Sequence, residues 1–299
     1  MKKLITIIVV FILTFIVTAC GDADVNDDKT PVDESTENNE NAVDNKETET
    51  QEVTLEEQVI YDENDIKVTV KGFEDESTFG PEIKVLIENN SAQNITVQTR
   101  KSSINGLMVE TMFSADVAAG KKANDAITFT DTELEVSGIS TIKDIEFELY
   151  IIDADSWDEI AVSDLIKLTT SADPNFVQEY DDSGFVAYDA DGVKVVVKKL
   201  NSSESFWGAD VYLYIENNTE KDITIQARDV DINGFMVEPA FSSDVGAGKK
   251  AFDTMTFMEE DLTNNGITDI TDLEFKLHIF DTETWDTIKD TDSIKVTFE

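Results

Sequence analysis

Ile145-Glu146-Phe147-Glu148-Leu149-Tyr150-Ile151 puts an apolar side chain at every second position, with Glu146, Glu148 and Tyr150 between. A period of two is the pattern of a strand with one face on a core and the other toward water. The pattern returns 128 residues later as Leu273-Glu274-Phe275-Lys276-Leu277-His278-Ile279. Other stretches return at the same spacing: Ile87-Glu88-Asn89-Asn90 as Ile215-Glu216-Asn217-Asn218, Ile104-Asn105-Gly106 as Ile232-Asn233-Gly234, and Trp157-Asp158 as Trp285-Asp286. Ala119-Gly120-Lys121-Lys122-Ala123 likewise returns as Ala247-Gly248-Lys249-Lys250-Ala251, and more than half of residues 87–129 match their partners. Self-similarity of this extent means one fold duplicated in tandem.

Each copy alternates elsewhere too, through Ile66, Val68 and Val70 or Val193, Val195 and Val197, and through Ile166 and Leu168 or Ile294, Val296 and Phe298. Asn105-Gly106 and Asn233-Gly234 sit inside apolar runs, where Asn-Gly supplies the positive backbone angles of a type I′ hairpin. Only residues 131–137 and 259–265 read as short helical turns, closed by Gly138 and Gly266. About seven short strands per copy, with turns every 8–12 residues, predict an all-β chain of two tandem immunoglobulin-like β-sandwich domains. The expected division is residues 58–171 for the first sandwich and 172–299 for the second.

The beginning of the chain has a different character. Lys2 and Lys3 precede an apolar run over residues 4–17, too short to span a bilayer and suited to a secretory leader. Val17-Thr18-Ala19-Cys20-Gly21 resembles the lipobox of bacterial lipoproteins. That resemblance implies cleavage of residues 1–19 and a diacylglyceryl group on Cys20, the single cysteine. Two acyl chains suffice for stable anchoring, at about 0.8 kcal/mol per buried methylene. Residues 20–57 follow as Asp, Glu, Asn, Thr and Ser with few apolar residues and no aromatic one until the sandwich begins. Such a segment cannot offset its conformational entropy by burial, and it reads as a disordered acidic linker.

The net charge is −41, and loss of Lys2 and Lys3 with the leader makes it −43. That acidity excludes nucleic acid as a partner, because binding it requires basic surface that displaces counterions. Catalysis is not expected. The one histidine, His278, lies on the face of its strand opposite Leu277 and reads as solvent-facing or edge, so nucleophile–histidine pairs are unavailable to the first copy. Gly246-Ala247-Gly248-Lys249-Lys250 lacks the Ser or Thr that a phosphate-binding loop places after its lysine, and a strand follows it.

Two features carry candidate chemistry. Asp153, Asp155 and Asp158 leave a strand into a loop, as do Asp281, Glu283 and Asp286. Alternate carboxylates of this kind can converge on Ca2+, a hard cation that takes six to eight oxygens, although the glycine of an EF-hand turn is missing. Trp157 and Trp285 admit two readings: a lid over the end of each core, which is the expected one, or an exposed anchor for a protein or glycan. Phe79, Phe206 and Trp207, beside Gly80 and Gly208, are expected in the core at strand bulges.

Ile-Asn-Gly-x-Met-Val-Glu followed by Phe-Ser-x-Asp-Val, together with the order of segments, resembles surface lipoproteins of Gram-positive bacteria with Ig-like repeats. The resemblance implies an extracytoplasmic location and the Ig-like fold and leaves function open; the reading that fits the chain best is a lipid-anchored, non-catalytic protein that presents two modules to an extracellular protein or polysaccharide. The alternatives are a calcium-dependent module and a purely structural spacer.

Overall fold

Alternation builds the same strands twice. In the first copy these are β1 (Gln58–Glu63), β2 (Ile66–Glu74), β3 (Glu82–Asn89), β4 (Ile95–Ile104), β5 (Leu107–Met108), β6 (Thr111–Met112), β7 (Ser114–Val117) and β8 (Lys121–Phe129). Helix α1 (Asp131–Val136), β9 (Asp144–Asp153), β10 (Glu159–Val162) and β11 (Ile166–Thr169) complete it. The second copy has β12 (Phe185–Ala190), β13 (Val193–Asn201), β14 (Gly208–Asn217), β15 (Ile223–Ile232), β16 (Phe235–Met236), β17 (Ser242–Val245) and β18 (Lys250–Met258). It closes with α2 (Glu259–Asn264), β19 (Asp272–Asp281), β20 (Thr287–Asp290) and β21 (Ile294–Thr297). This computed structural model describes residues 53–202 and 205–298. The leader, Cys20 and nearly all of the acidic linker lie outside the described residues.

Each copy is a two-sheet sandwich of the immunoglobulin-like class. In the first, the sheet β1-β2-β3-β8-β6 faces a second sheet built on the antiparallel pair β4 and β9. In the second, β12-β13-β14-β18 faces a sheet built on β15 and β19. Ile66, Val68, Val70, Ile83, Val85 and Ile87 meet Ile95, Val97, Ile145, Phe147, Leu149 and Ile151 in one buried cluster. Val193, Val195, Leu213, Ile215, Ile223, Ile225, Phe275, Leu277 and Ile279 form the other. Full burial of such side chains is worth roughly 1.5–3 kcal/mol each. Asn105 (φ 51°) and Gly106 (φ 85°), with Asn233 (φ 52°) and Gly234 (φ 82°), make the expected hairpins. Both short helices form and end at Gly138 and Gly266, as the spacing predicts.

The strands of each sandwich run between two ends. One carries the β9–β10 or β19–β20 turn and is called upper here; the other carries the Asn-Gly hairpin and the short helix. A buried asparagine fastens each upper end. Asn89 Nδ2 donates to the carbonyls of Gln93 (2.8 Å) and Val117 (2.9 Å), while its Oδ1 accepts from the Ser91 amide at 3.0 Å. Asn217 repeats this with Lys221, Val245 and Thr219.

The two sandwiches meet head to tail: the upper end of the second is seated on the lower end of the first. Strand β5 pairs in parallel with β18 at Leu107 and Lys250, which joins strands of both copies into one ten-stranded sheet. The Lys250 amide donates to the Gly106 carbonyl at 2.9 Å. Around this bridge Lys249 meets Glu146 at 2.8 Å, and Lys101 meets Asp222 at 2.8 Å and Glu148 at 3.2 Å. Met108 packs against the second core and Phe252 against the first. The connecting segment is tied down as well. Lys143 Nζ donates to the carbonyls of Pro174 (2.8 Å) and Phe176 (3.0 Å), and the Tyr180 ring meets the edge of Phe252 with centroids 6.3 Å apart.

Candidate functional site

At the upper end of each sandwich, one aspartate organises a tight turn. In the first copy the Asp153 amide donates to the Asp158 carbonyl and the Trp157 amide to the Asp153 carbonyl, both at 2.9 Å. Asp153 Oδ1 accepts from the amides of Asp155 and Ser156, both at 2.9 Å, and its Oδ2 accepts from Gln93 Nε2 at 3.0 Å. In the second copy Asp281 Oδ1 accepts from the amides of Glu283 and Thr284, both at 3.0 Å, while Lys221 Nζ sits 2.7 Å from Oδ2. The backbone bonds of this turn then leave the fifth residue in the left-handed region: Trp157 at φ 66° and Trp285 at φ 64°.

That position normally belongs to glycine or asparagine, since a bulky residue there is strained by about 1–3 kcal/mol. Here a tryptophan holds it in both copies, and neither indole is buried: Trp157 is 69% exposed and Trp285 73%. The lid reading is therefore corrected. The turn lifts each tryptophan off the core because its left-handed backbone aims the side chain outward, past the last core residues Ile151 and Ile279. The copies then differ in what supports the ring. Trp285 stacks on Phe280 at 5.4 Å with 18° between planes, and Phe280 lies 5.0 Å from His278. The corresponding outer-face residues of the first copy are Ile152 and Tyr150, and the Arg100 guanidinium covers the Tyr150 ring at 3.1 Å.

The carboxylates of these turns act first as fasteners. Hydrogen bonding from the Ser156 and Asp155 amides holds the Asp153 carboxyl below its ordinary range. The Lys221 ammonium, followed by the Thr284 amide, brings Asp281 down to about 2. Asp155 accepts from Asn94 (3.3 Å) and Asp158 from Ser156 (2.9 Å), while Asp286 and Glu283 take part through their amides. Among the described residues no three His, Cys, Asp or Glu side chains are grouped to hold a metal ion. In both copies the leading aspartate of this spacing caps its own hairpin turn.

Four further residues are placed differently from the sequence reading. His278 is buried, with Nδ1 2.6 Å from the carboxylate of Asp290 on the paired strand β20 and the Phe280 ring 5.0 Å away on the same outer face, which alternation assigns to water. Phe79 (61%), Phe206 (86%) and Trp207 (62%) are exposed at the lower ends. Their neighbours Gly80 and Gly208 are required for close approach instead: a Cβ there would lie 2.1 Å from the Phe129 carbonyl oxygen and 2.3 Å from that of Phe257. The junction residues Tyr180 and Phe252 gave no sequence signal, since neither has an aromatic partner in the other copy.

No family model matches the chain, and no curated protein matches it. Among solved structures, the SafA pilin–SafB chaperone complex of Salmonella enterica aligns over 73% of this chain and 89% of that one, at 10% identity and a TM-score of 0.19. The CsuC–CsuE chaperone–tip adhesion subunit pre-assembly complex of Acinetobacter baumannii aligns over 73% and 92%, at 14% identity and a TM-score of 0.21. With scores this low, the architecture rests on the strand pairings described above.

Proposed function

We propose that this chain is a lipid-anchored, extracytoplasmic, non-catalytic protein whose two sandwiches present Trp157 and Trp285 as contact points for an extracellular protein or polysaccharide. The observation that carries the reading is the repeated exposed tryptophan at a strained backbone position. Backbone strain persists only where the surroundings impose it, and it concentrates at binding sites. A rigid indole with a polar edge is a common anchor of interfaces, and truncating such an anchor weakens binding by about 2 kcal/mol or more, roughly 30-fold. Two turns on one chain add to this through effective concentration when both engage one partner. Cys20, by the lipobox resemblance, supplies the anchor, and the acidic linker holds the sandwiches away from the membrane.

Two measurements test the proposal. Wild-type protein and the Trp157→Ala/Trp285→Ala double variant are assayed for binding to isolated envelope polysaccharide and to extracellular proteins. Retained binding by the double variant at equal affinity sinks the tryptophan reading. Separately, Cys20→Ala is expected to move the protein out of the membrane fraction; continued membrane association refutes the anchor.

A further inference from the structure

The junction between the sandwiches is a head-to-tail contact between different surfaces, and such contacts build filaments or rings, not two-fold pairs. One copy of each surface is used inside the chain and one is left over. The lower end of the second sandwich repeats the seat provided by the first: Phe235 and Met236 stand where Leu107 and Met108 stand. Met108 is packed against the core of the second sandwich and Leu107 is fully buried in the first, whereas Phe235 is 48% exposed and Met236 67%. The upper end of the first sandwich repeats the inserted surface, with Lys121 and Lys122 in the places of Lys249 and Lys250. The buried-edge pair Lys249–Glu146 therefore has a counterpart of matching sign in Lys121 and Glu274.

The remaining substitutions are compatible with reuse of this contact. Lys101 and Glu148 of the filled seat are replaced by Asp229 and Lys276, which pair with each other at 2.7 Å, so no charge is stranded. Asp222, the partner of Lys101, is replaced by the neutral Asn94. Phe252 of the inserted surface becomes Asn124 while Leu107 of the seat becomes Phe235, which moves the large ring from one side of the contact to the other.

We infer that the occupant of the open lower end of the second sandwich is the upper end of the first sandwich of another copy of this chain, which gives an open-ended head-to-tail assembly. The Trp turns stay accessible in it, since Trp285 remains 73% exposed beside a junction that is already filled. The intermolecular contact lacks the linker clasp through Tyr180, and the net charge of −41 opposes it, so the association is weak and appears at high protein concentration.

Sedimentation velocity of the full chain, kept in solution with a mild detergent at physiological ionic strength, tests this across a hundredfold range of concentration. The mass is expected to rise with concentration. Phe235→Asp, Glu274→Lys and Lys121→Glu should each weaken association at least about tenfold. The two charge variants, each weakened alone, should regain association in alternating order when mixed, because the Glu274→Lys seat then faces the Lys121→Glu insert and the unchanged Glu274 of one faces the unchanged Lys121 of the other. Association driven by the apolar leader is indifferent to those charges. A monomer at every concentration, or association that ignores all three substitutions, or no regained association in the mixture, overturns the inference.

Discussion

The two sandwiches agree in their cores and differ at their ends. Phe147 and Phe275, Val85 and Leu213, and Asn89 and Asn217 occupy equivalent buried places with equivalent partners. At the ends, a lysine becomes an aspartate at 101 and 229, a leucine becomes an exposed phenylalanine at 107 and 235, and an asparagine becomes the junction ring at 124 and 252. Packing density constrains a core so tightly that a duplicated sequence keeps it. The ends carry no such constraint, and they are where one copy became a seat, the other an insert, and the two tryptophans acquired different supports.

The sharpest way to break the agreement is to remove the shared asparagine. Asn89→Ala or Asn217→Ala removes the side-chain bonds to the Gln93 and Val117 carbonyls and the Ser91 amide, or to the Lys221, Val245 and Gly246 carbonyls and the Thr219 amide, and a buried group left unpaired costs about 1–3 kcal/mol. A loss of roughly 3 kcal/mol is expected from either change, read by urea denaturation. A loss under 1 kcal/mol in one copy alone would show that its upper end is held by something else.

The junction is next in size. Phe252 sits between Tyr180 and Tyr214, with centroids 6.3 and 5.3 Å away. Phe252→Ala is expected to lower stability by about 2 kcal/mol, below the 3–5 kcal/mol of a fully buried ring because this one is half-buried. It should also split thermal unfolding into two transitions as the sandwiches uncouple. Asn124→Ala, the equivalent change at the free upper end, should stay within about 0.5 kcal/mol. A single unaltered transition in Phe252→Ala means the bridge at Leu107 and Lys250 couples the copies without the rings.

The strands and turns of both copies were legible because their signals are local. Alternation at residues 145–151, the Asn-Gly pairs, and the glycines closing each short helix are all read within a few residues. What was not legible depends on distant contacts. Asn89 looks like turn punctuation until Val117, 28 residues away, is seen accepting its amide. His278 looks solvent-facing until Asp290 and Phe280 are seen against its ring. The tryptophans look like core lids because burial is the usual fate of an indole, and a left-handed backbone angle at a non-glycine residue leaves no trace in composition. The acidic spacing was real, but its leading aspartates are taken up by backbone amides of their own turns and by Gln93 or Lys221.

Acid sensitivity separates the two turns more gently. Both leading carboxyls are held below the ordinary value of about 3.9, so each contributes stability that is complete above that pH and is lost as pH falls through the depressed value. For Asp281 that window runs from about 4 down to about 2. Lys221→Met removes the largest cause of its depression and is expected to move the acid unfolding limb of the second sandwich to higher pH. Gln93→Leu, which removes only a neutral donor from Asp153, should move the first sandwich's limb less. Circular dichroism across pH 2–5 distinguishes them, and equal displacement would mean that the amides rather than the lysine dominate at Asp281.

The smallest effect is the most diagnostic, because its sign is expected to differ between the copies. Glycine at position 157 releases the left-handed strain of a bulky residue, about 1–3 kcal/mol, against roughly 0.5–1 kcal/mol of extra backbone entropy in the unfolded chain. The Trp157 ring is 69% exposed and stacks on no aromatic neighbour among the described residues, so little packing is lost with it. Trp157→Gly is therefore expected to leave stability unchanged or raise it by about 1 kcal/mol. Trp285→Gly gains the same relief but loses the stack on Phe280, worth about 0.5–1.5 kcal/mol beyond the area it covers, and should come out neutral or slightly destabilising. If both variants are clearly less stable than wild type, the tryptophans are structural and their exposure is incidental. If the first is not, the chain keeps at position 157 a residue that its own folding does not require, which is what a residue retained for a partner looks like.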